Sequence, residues 1–239
     1  MNSERGDYCR QVEDYLCRKN DGHLVRIVGP AFEQVCGWAS RGIPLKVVFR
    51  GVDRYFERYY AKGPRRRPVR IEFCQADVQD VFDDWRRAVG VGRAIDAIDP
   101  EKDTGDERGG AHSRESLATH LDRVVARLAA RRGGADRSLD AALDEIVREL
   151  DGARAGSKHL RGERRDVMLQ RLRDLDRRLV DRARAASDAG TLQRLTAEAN
   201  EQLSPFRDRM PAHAYAQAQQ ACVDRLLREH ARLPTIAFD

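Results

Sequence analysis

The chain has 239 residues, of which 35% are charged and 41% are hydrophobic, and its formal net charge is +5. This length allows one large domain or two smaller ones, and so high a charged fraction requires helices with wide solvated faces. No stretch approaches the ~20 consecutive apolar residues of a membrane-spanning helix, and the opening residues lack the apolar core of a secretory signal peptide. We therefore expect a cytoplasmic protein that does not associate with membranes.

The N-terminal part of the chain predicts one helix followed by a helix-turn-helix. Apolar residues at helical spacing predict helices over residues 4–19, 30–40 and 45–61. The turn between the last two contains Gly42, which supplies a permissive backbone, and Pro44, whose fixed φ suits the start of a helix. Two helices joined by a short turn that contains glycine are typical of a helix-turn-helix.

Two short β-strands are predicted on either side of this motif. Residues 23–28 (HLVRIV) are too few and too rich in β-branched side chains for a helix, and residues 69–73 alternate apolar with charged side chains. A basic loop, residues 62–68, precedes the second strand, and a helix over residues 75–89 follows it. This order resembles a winged helix with a reduced wing, in which the two strands pair. The expected winged-helix-like domain spans residues 1–90.

The rest of the chain is predicted to be a linker and a helical bundle. Residues 91–112 are rich in glycine and acidic side chains and carry a net charge of −3, which is typical of a flexible linker. Residues 113–239 show helical patterns and almost no strand signal, and we expect an α-helical bundle that mediates assembly. One long charged helix carries a narrow apolar stripe typical of helix pairing. The stripe consists of Met168, Leu172, Leu175 and Leu179.

The strongest functional signal is a concentration of positive charge over residues 41–70, which we call the basic segment. It contains ten positive and two negative side chains, a net charge of +8, so the remainder of the chain sums to −3. A helix inserted in a groove and a wing that contacts phosphates both need positive charge at this position. We therefore predict a nucleic-acid-binding protein, with DNA as the expected ligand. The predicted contacts are Lys46, Arg50, Arg54 and Arg58 on the second helix of the motif and Lys62, Arg65, Arg66, Arg67 and Arg70 after it.

Other interpretations of the basic segment remain open. Its helix face can be solvated and bind nothing, or it can dock an acidic partner, which includes the acidic linker of this chain. Tyr55, Tyr59 and Tyr60 can stack on unpaired bases, although we expect Tyr55 and Tyr59 to complete the core. The alternative function is a helical adaptor that binds itself or other proteins through Leu172, Leu175 and Leu179.

A group of acidic residues suggests a metal site, but a simpler explanation is favoured. Asp77, Asp80 and Asp84 share one face of a predicted helix, with Asp83 beside them, and paired carboxylates can hold Mg²⁺. Acidic residues early in a helix also stabilise the helix dipole. The dipole explanation requires no metal, and we prefer it.

The cysteines and one histidine form a second candidate metal site. Four thiols and an imidazole in the N-terminal part could surround Zn²⁺, but their spacings match no zinc finger. The chain has five cysteines and no CxxC pair, so free thiols are the simpler interpretation. Motifs for nucleotide binding or metalloprotease chemistry are also missing from the sequence, so we predict no catalytic residue, no cofactor and no enzymatic activity. The candidate zinc set is Cys9, Cys17, His23, Cys36 and Cys74, and the remaining cysteine is Cys222.

Residues 42–56, GIPLKVVFRGVDRYF, carry a resemblance to known families. This stretch is similar to a pattern in uncharacterised bacterial helical proteins and in replication-initiation or primosomal proteins of the DnaD-like kind. The resemblance implies a role near DNA replication, repair, or the control of mobile elements and defence. It implies no catalytic residue, and the C-terminal half of the chain shows no such resemblance.

Overall fold

The protein is mainly α-helical and consists of two units. Its structure, a computed structural model, describes residues 2–61, 63, 68–91, 116–131, 137–156 and 161–238. Within these ranges the chain forms nine α-helices, short 3-10 helices and no β-strand, so the prediction of a mainly α protein is confirmed. The first unit contains Met1–Pro100 with Gln202–Ala218, and the second contains Glu101–Glu201 with Gln219–Asp239.

Four helices from the N-terminal part form most of the first unit. They are α1 (Asn2–Lys19), α2 (Pro30–Ser40), α3 (Leu45–Tyr60) and α4 (Gln75–Val89). Their bounds agree with the predicted helices to within two residues at every end. Helix α3 packs on α1 and, most extensively, on α4. Leu16, Val48 and Val52 lie in the resulting core and are fully buried.

The turn between α2 and α3 has the backbone that its glycine predicts. Gly42 has a φ of 75°, in the left-handed region, where glycine carries no steric penalty. The Gly42 N–H donates to the Ala39 carbonyl and the Ile43 N–H donates to the Trp38 carbonyl, both over 3.0 Å. This pair of bonds is a Schellman motif, which satisfies carbonyl groups at the end of α2.

The predicted strand over residues 23–28 is wrong. These residues have no regular secondary structure. The Val25 N–H donates to Sγ of Cys17 over 3.3 Å, and the Ile27 N–H donates to Oε2 of Glu13 over 2.7 Å. Because side chains of α1 satisfy these donors, the segment needs no partner strand.

The predicted strand over residues 69–73 is also wrong. Ile71–Cys74 form a 3-10 helix that leads directly into α4. Ile71 and Cys74, which are three residues apart, are both buried, as expected for one face of a helix with three residues per turn. A wing requires paired strands, so the winged-helix arrangement is not confirmed.

Helices α3 and α4 approach each other closely at Gly51. A Cβ on this residue would lie 2.5 Å from Cα of Val78 and 2.8 Å from the backbone N of Val78. The two helices can therefore pack this closely only because residue 51 is a glycine and has no side chain.

A C-terminal segment completes the first unit. The indole N–H of Trp85 donates to Oε1 of Gln202 over 3.3 Å, and the rings of Trp85 and Phe206 lie 5.7 Å apart. Phe206 belongs to the 3-10 helix Ser204–Arg209 and is 2% exposed. The predicted bundle over residues 113–239 did not include this association.

The second unit contains the other helices. They are α5 (Leu117–Arg131), α6 (Arg137–Gly156), α7 (Glu163–Ala186), most of α8 (Ala189–Leu203) and the later part of α9 (Ala212–Ala231). Helix α6 packs on α5 and on α7. Leu172, Leu175 and Leu179 of the predicted pairing stripe are at most 1% exposed, so neighbouring side chains of this chain already cover them.

The apolar tail after α9 docks on the second unit. Ile236 is fully buried, its N–H donates to Oδ1 of Asp176 over 2.7 Å, and its carbonyl lies 3.1 Å from Nε2 of His120. These contacts hold the tail against α5 and α7.

Two further predictions concern the linker and the membrane. The predicted linker, residues 91–112, lies outside the described residues apart from Val91, which is buried. In the described part of the chain, no helix has the length and the apolar character needed to cross a membrane.

Candidate nucleic-acid interface

The structure exposes most of the predicted contacts that it describes. Lys46, Arg50 and Arg58 of α3 are exposed, as is Arg70, whereas Arg54 is half-buried. The other predicted contacts lie outside the described residues. They are Lys62, Arg65, Arg66 and Arg67.

Acidic residues of α4 bind the two arginines in the second half of α3. Oδ2 of Asp77 lies 2.7 Å from Nη2 of Arg58, and Oδ1 lies 3.8 Å from Nε of Arg54. The Asp77 side chain is 1% exposed. Asp80, in solvent, lies 3.9 Å from Nη2 of Arg54. Because two carboxylates face two guanidinium groups, charge is balanced here, and the excess positive charge lies elsewhere in the basic segment.

Asp53, one of the two acids in the basic segment, is bound by α1. The Tyr15 hydroxyl donates to its carboxylate over 2.8 Å, and Nζ of Lys19 lies 2.6 Å from Oδ1. Burial, with the hydrogen bond to Asp53, raises the pKa of Tyr15 above its usual value. The Tyr15 ring also stacks on Phe49, with centroids 4.1 Å apart. A cation from outside the basic segment, Lys19, therefore offsets the charge of Asp53.

Asn20 fixes the chain just after residues 62–67. It lies at the end of α1 and is 2% exposed. Its Oδ1 accepts the Val69 N–H over 2.7 Å, and its Nδ2 donates to the carbonyls of Val69 and Leu16 over 3.0 Å each. This side chain thus gives Val69 the two hydrogen bonds that a neighbouring strand would have given it.

Four aromatic side chains, which we call the aromatic platform, lie at the end of α3 and on the 3-10 helix before α4. Phe73 is 57% exposed and Tyr60 is 37% exposed, whereas Tyr55 and Tyr59 are half-buried. The expectation that Tyr55 and Tyr59 complete the core is therefore only partly met. Phe73 was missed, because an alternating strand would have turned it inward with Val69 and Ile71.

Neither candidate metal site is assembled. Within the described ranges, no three His, Cys, Asp or Glu side chains are grouped so as to hold a metal ion. Asp77 binds arginines instead, and Asp84 lies 2.5 Å from Nη2 of Arg87. Sγ of Cys9 lies 3.5 Å from Sγ of Cys36, and burial raises the pKa of the Cys9 thiol to about 12. Cys9 is thus a protonated, buried thiol at neutral pH.

No protein-family model, curated protein or solved structure matches the chain. The DnaD-like resemblance of residues 42–56 stays a prediction.

Proposed function

We propose that this protein binds nucleic acid, with DNA as the expected polymer, through the basic segment of its first unit. The observation that carries the proposal is the net charge of +8 over residues 41–70. Positive charge at this density attracts phosphate backbones of any sequence and releases the counterions condensed on them. The role is non-enzymatic and consists of holding or positioning the polymer.

The contacts of the arginines divide the basic segment by role. Arg54 and Arg58 face carboxylates of α4, which lowers the positive potential around them. Lys46 and Arg50 are exposed at the start of α3, and residues 62–67 add four cations in sequence. We therefore expect residues 62–67 to supply more of the phosphate contacts than Arg54 and Arg58 do.

Reversing the charges of Arg65, Arg66 and Arg67 is expected to remove most of the binding. Fluorescence anisotropy of a labelled oligonucleotide at increasing salt reports both the affinity and the number of phosphate contacts. For the unmodified protein, log K should fall by about 0.7 to 0.9 per contact for each tenfold rise in salt. We expect the triple Arg→Glu variant to lose about 100-fold in affinity at low salt and about three contacts from the salt slope.

A matched control variant tests whether the loss of affinity comes from the position of the three arginines or only from the lower net charge of the protein. Arg164, Arg165 and Arg173 are exposed on α7 in the second unit, and changing all three to glutamate lowers the net charge from +5 to −1, as the first triple variant does. This control should retain most of the affinity. Equal losses in the two variants would contradict a role for the basic segment, and failure of the unmodified protein to bind at low salt would reject the proposal.

Asp77→Asn tests whether Arg54 and Arg58 also reach phosphates. Asparagine has nearly the same shape but no charge, so both guanidinium groups lose their buried counterion. If they contact the polymer as the sequence predicts, affinity should rise several-fold and the salt slope should steepen by about one contact. Asp83→Asn is the control, because it adds the same charge at an exposed position of α4. Equal gains in the two variants would remove Arg54 and Arg58 from the interface.

Assembly with other proteins through the C-terminal helices stays a prediction. The stripe on which it was based is buried in this chain, at Leu172, Leu175 and Leu179. A partner that used these leucines would have to displace helices that already pack on α7, so the described residues give this alternative no specific support.

A further inference from the structure

Phe73 presents an aromatic ring to solvent next to a basic part of the chain. Its neighbours in the 3-10 helix, Ile71 and Cys74, occupy the buried face, which turns Phe73 outward. One exposed apolar side chain is common on protein surfaces. This ring, however, continues a row of other aromatic rings.

The rings of the aromatic platform are aligned. The Phe73 ring lies 6.4 Å from that of Tyr55 at an interplanar angle of 14°, and the Tyr55 ring lies 5.7 Å from that of Tyr59 at 22°. Tyr60 meets the edge of Tyr59 at 5.3 Å and 88°. Three nearly parallel rings therefore form a short row that ends in an exposed phenylalanine.

Two arginines flank this row, and each is paired with an acid. The Arg58 guanidinium carbon lies 5.6 Å from the centroid of the Tyr55 ring, and the Arg58 and Arg70 side chains are 62% and 67% exposed. Arg58 lies 2.7 Å from the Asp77 carboxylate, and Arg70 lies 2.7 Å from the Glu72 carboxylate. Lys62, Arg65, Arg66 and Arg67 fall between Tyr60 and Phe73 in the chain. Aromatic faces for bases and cations for phosphates are thus brought together in one stretch of sequence.

We propose that the aromatic platform stacks unpaired bases, so that the ligand is a single strand of nucleic acid rather than a duplex. This inference rests on the proposed function and names its substrate class. In a duplex the bases already stack on one another, and their faces are closed to side chains, whereas a single strand can lay its bases on aromatic rings while its phosphates meet cations. Charge alone would favour the duplex, because its phosphate density is higher.

Phe73→Ala is the first test, with labelled oligo-dT, oligo-U and a DNA duplex as probes in anisotropy measurements. We expect the affinity for both single strands to fall about tenfold to a hundredfold, while the affinity for the duplex stays the same. The salt slope should not change, since no phosphate contact is lost. Oligo-dT and oligo-U together show whether the strand is DNA, RNA or either.

Two control variants define what Phe73 contributes. Phe73→Leu keeps an apolar side chain but lacks a π face, so it should weaken single-strand binding as alanine does. Phe32→Ala removes another exposed phenylalanine of the first unit, which is 42% exposed, and should leave the affinity unchanged. A Phe73→Leu variant that binds like the unmodified protein would show that stacking is not the contribution.

Phe73→Trp gives a direct readout. Both native tryptophans, Trp38 and Trp85, are buried at 1% and 2% exposure. Fluorescence from a solvent-exposed indole would therefore come from the new tryptophan. We expect oligo-dT to quench it at the concentration at which anisotropy rises, and the affinity to be at least that of the unmodified protein.

The outcomes separate this inference from the function on which it rests. If duplex and single strand both bind, and Phe73→Ala weakens neither or weakens both equally, the platform is overturned while nucleic-acid binding stands. If the unmodified protein binds none of the probes at low salt, the proposed function fails and the inference fails with it.

Discussion

Gly51→Ala is expected to lower the free energy of unfolding by about 2 kcal/mol or more. The added Cβ would lie 2.5 Å from Cα of Val78, and a backbone atom cannot rotate away as a side chain can. Helices α3 and α4 would have to separate, which would loosen the core on both sides of the contact. Alanine stabilises a helix by about 1 kcal/mol relative to glycine. The expected loss of about 2 kcal/mol in the free energy of unfolding is the net effect, with this gain already subtracted. Urea denaturation followed by circular dichroism measures the change.

Gly37→Ala is the matched control. This glycine lies in α2 and is exposed, and apart from its chain neighbours and the backbone of its own helix, no atom would lie within 4 Å of its Cβ. Only the helix propensity changes, so the free energy of unfolding should rise by about 0.5 to 1 kcal/mol. Stabilisation by both substitutions would show that α3 and α4 do not meet as closely at Gly51 as the structure has it.

Gly51 also illustrates what hydrophobic periodicity cannot predict, which is how closely two helices pack. The spacing of apolar side chains predicted α1 to α4 to within two residues, since amphipathic helices record their buried face in the sequence. A glycine adds nothing to that pattern, although here it sets the distance between two helices. The same pattern placed Tyr55 and Tyr59 inside, whereas the structure leaves both half-buried and buries Val47 instead.

The two strand predictions failed for a different reason. β-branched content and alternation describe an extended backbone, but not the partner that satisfies its hydrogen bonds. In this protein the partners are side chains of α1: Cys17 and Glu13 serve residues 23–28, and Asn20 serves Val69. Contacts of this kind join residues up to 49 positions apart, and a local sequence pattern cannot predict them.

The candidate site was predictable as a charge distribution but not as a set of partners. The basic segment could be counted in the sequence, yet the pairing of Arg58 with Asp77 joins α3 to α4 and needs the packing of both helices. The sequence places Asp77 early in a helix, where it favours the dipole. The structure shows in addition that Asp77 is buried and that its carboxylate faces Arg54 and Arg58, which lowers the positive potential on that part of α3.

Asn20→Ala is expected to destabilise the first unit by about 3 kcal/mol. The buried amide makes three hydrogen bonds, two with the backbone of Val69 and one with the Leu16 carbonyl. Alanine leaves those backbone groups buried without these partners, and each unsatisfied group costs about 1 to 3 kcal/mol. Hydrogen exchange should show loss of protection at the Val69 amide, and urea denaturation should show the loss of stability.

Asn200→Ala, at an exposed position of α8, should change stability by about 0.5 kcal/mol or less. Similar small effects of the two substitutions would mean that the Asn20 amide does not hold Val69. If it does, the consequence extends to the proposed interface, because Val69 fixes the chain between the four cations of residues 62–67 and Phe73. Asn20→Ala should then weaken single-strand binding under conditions in which the protein is still folded, since phosphate and base contacts would no longer be held in one register.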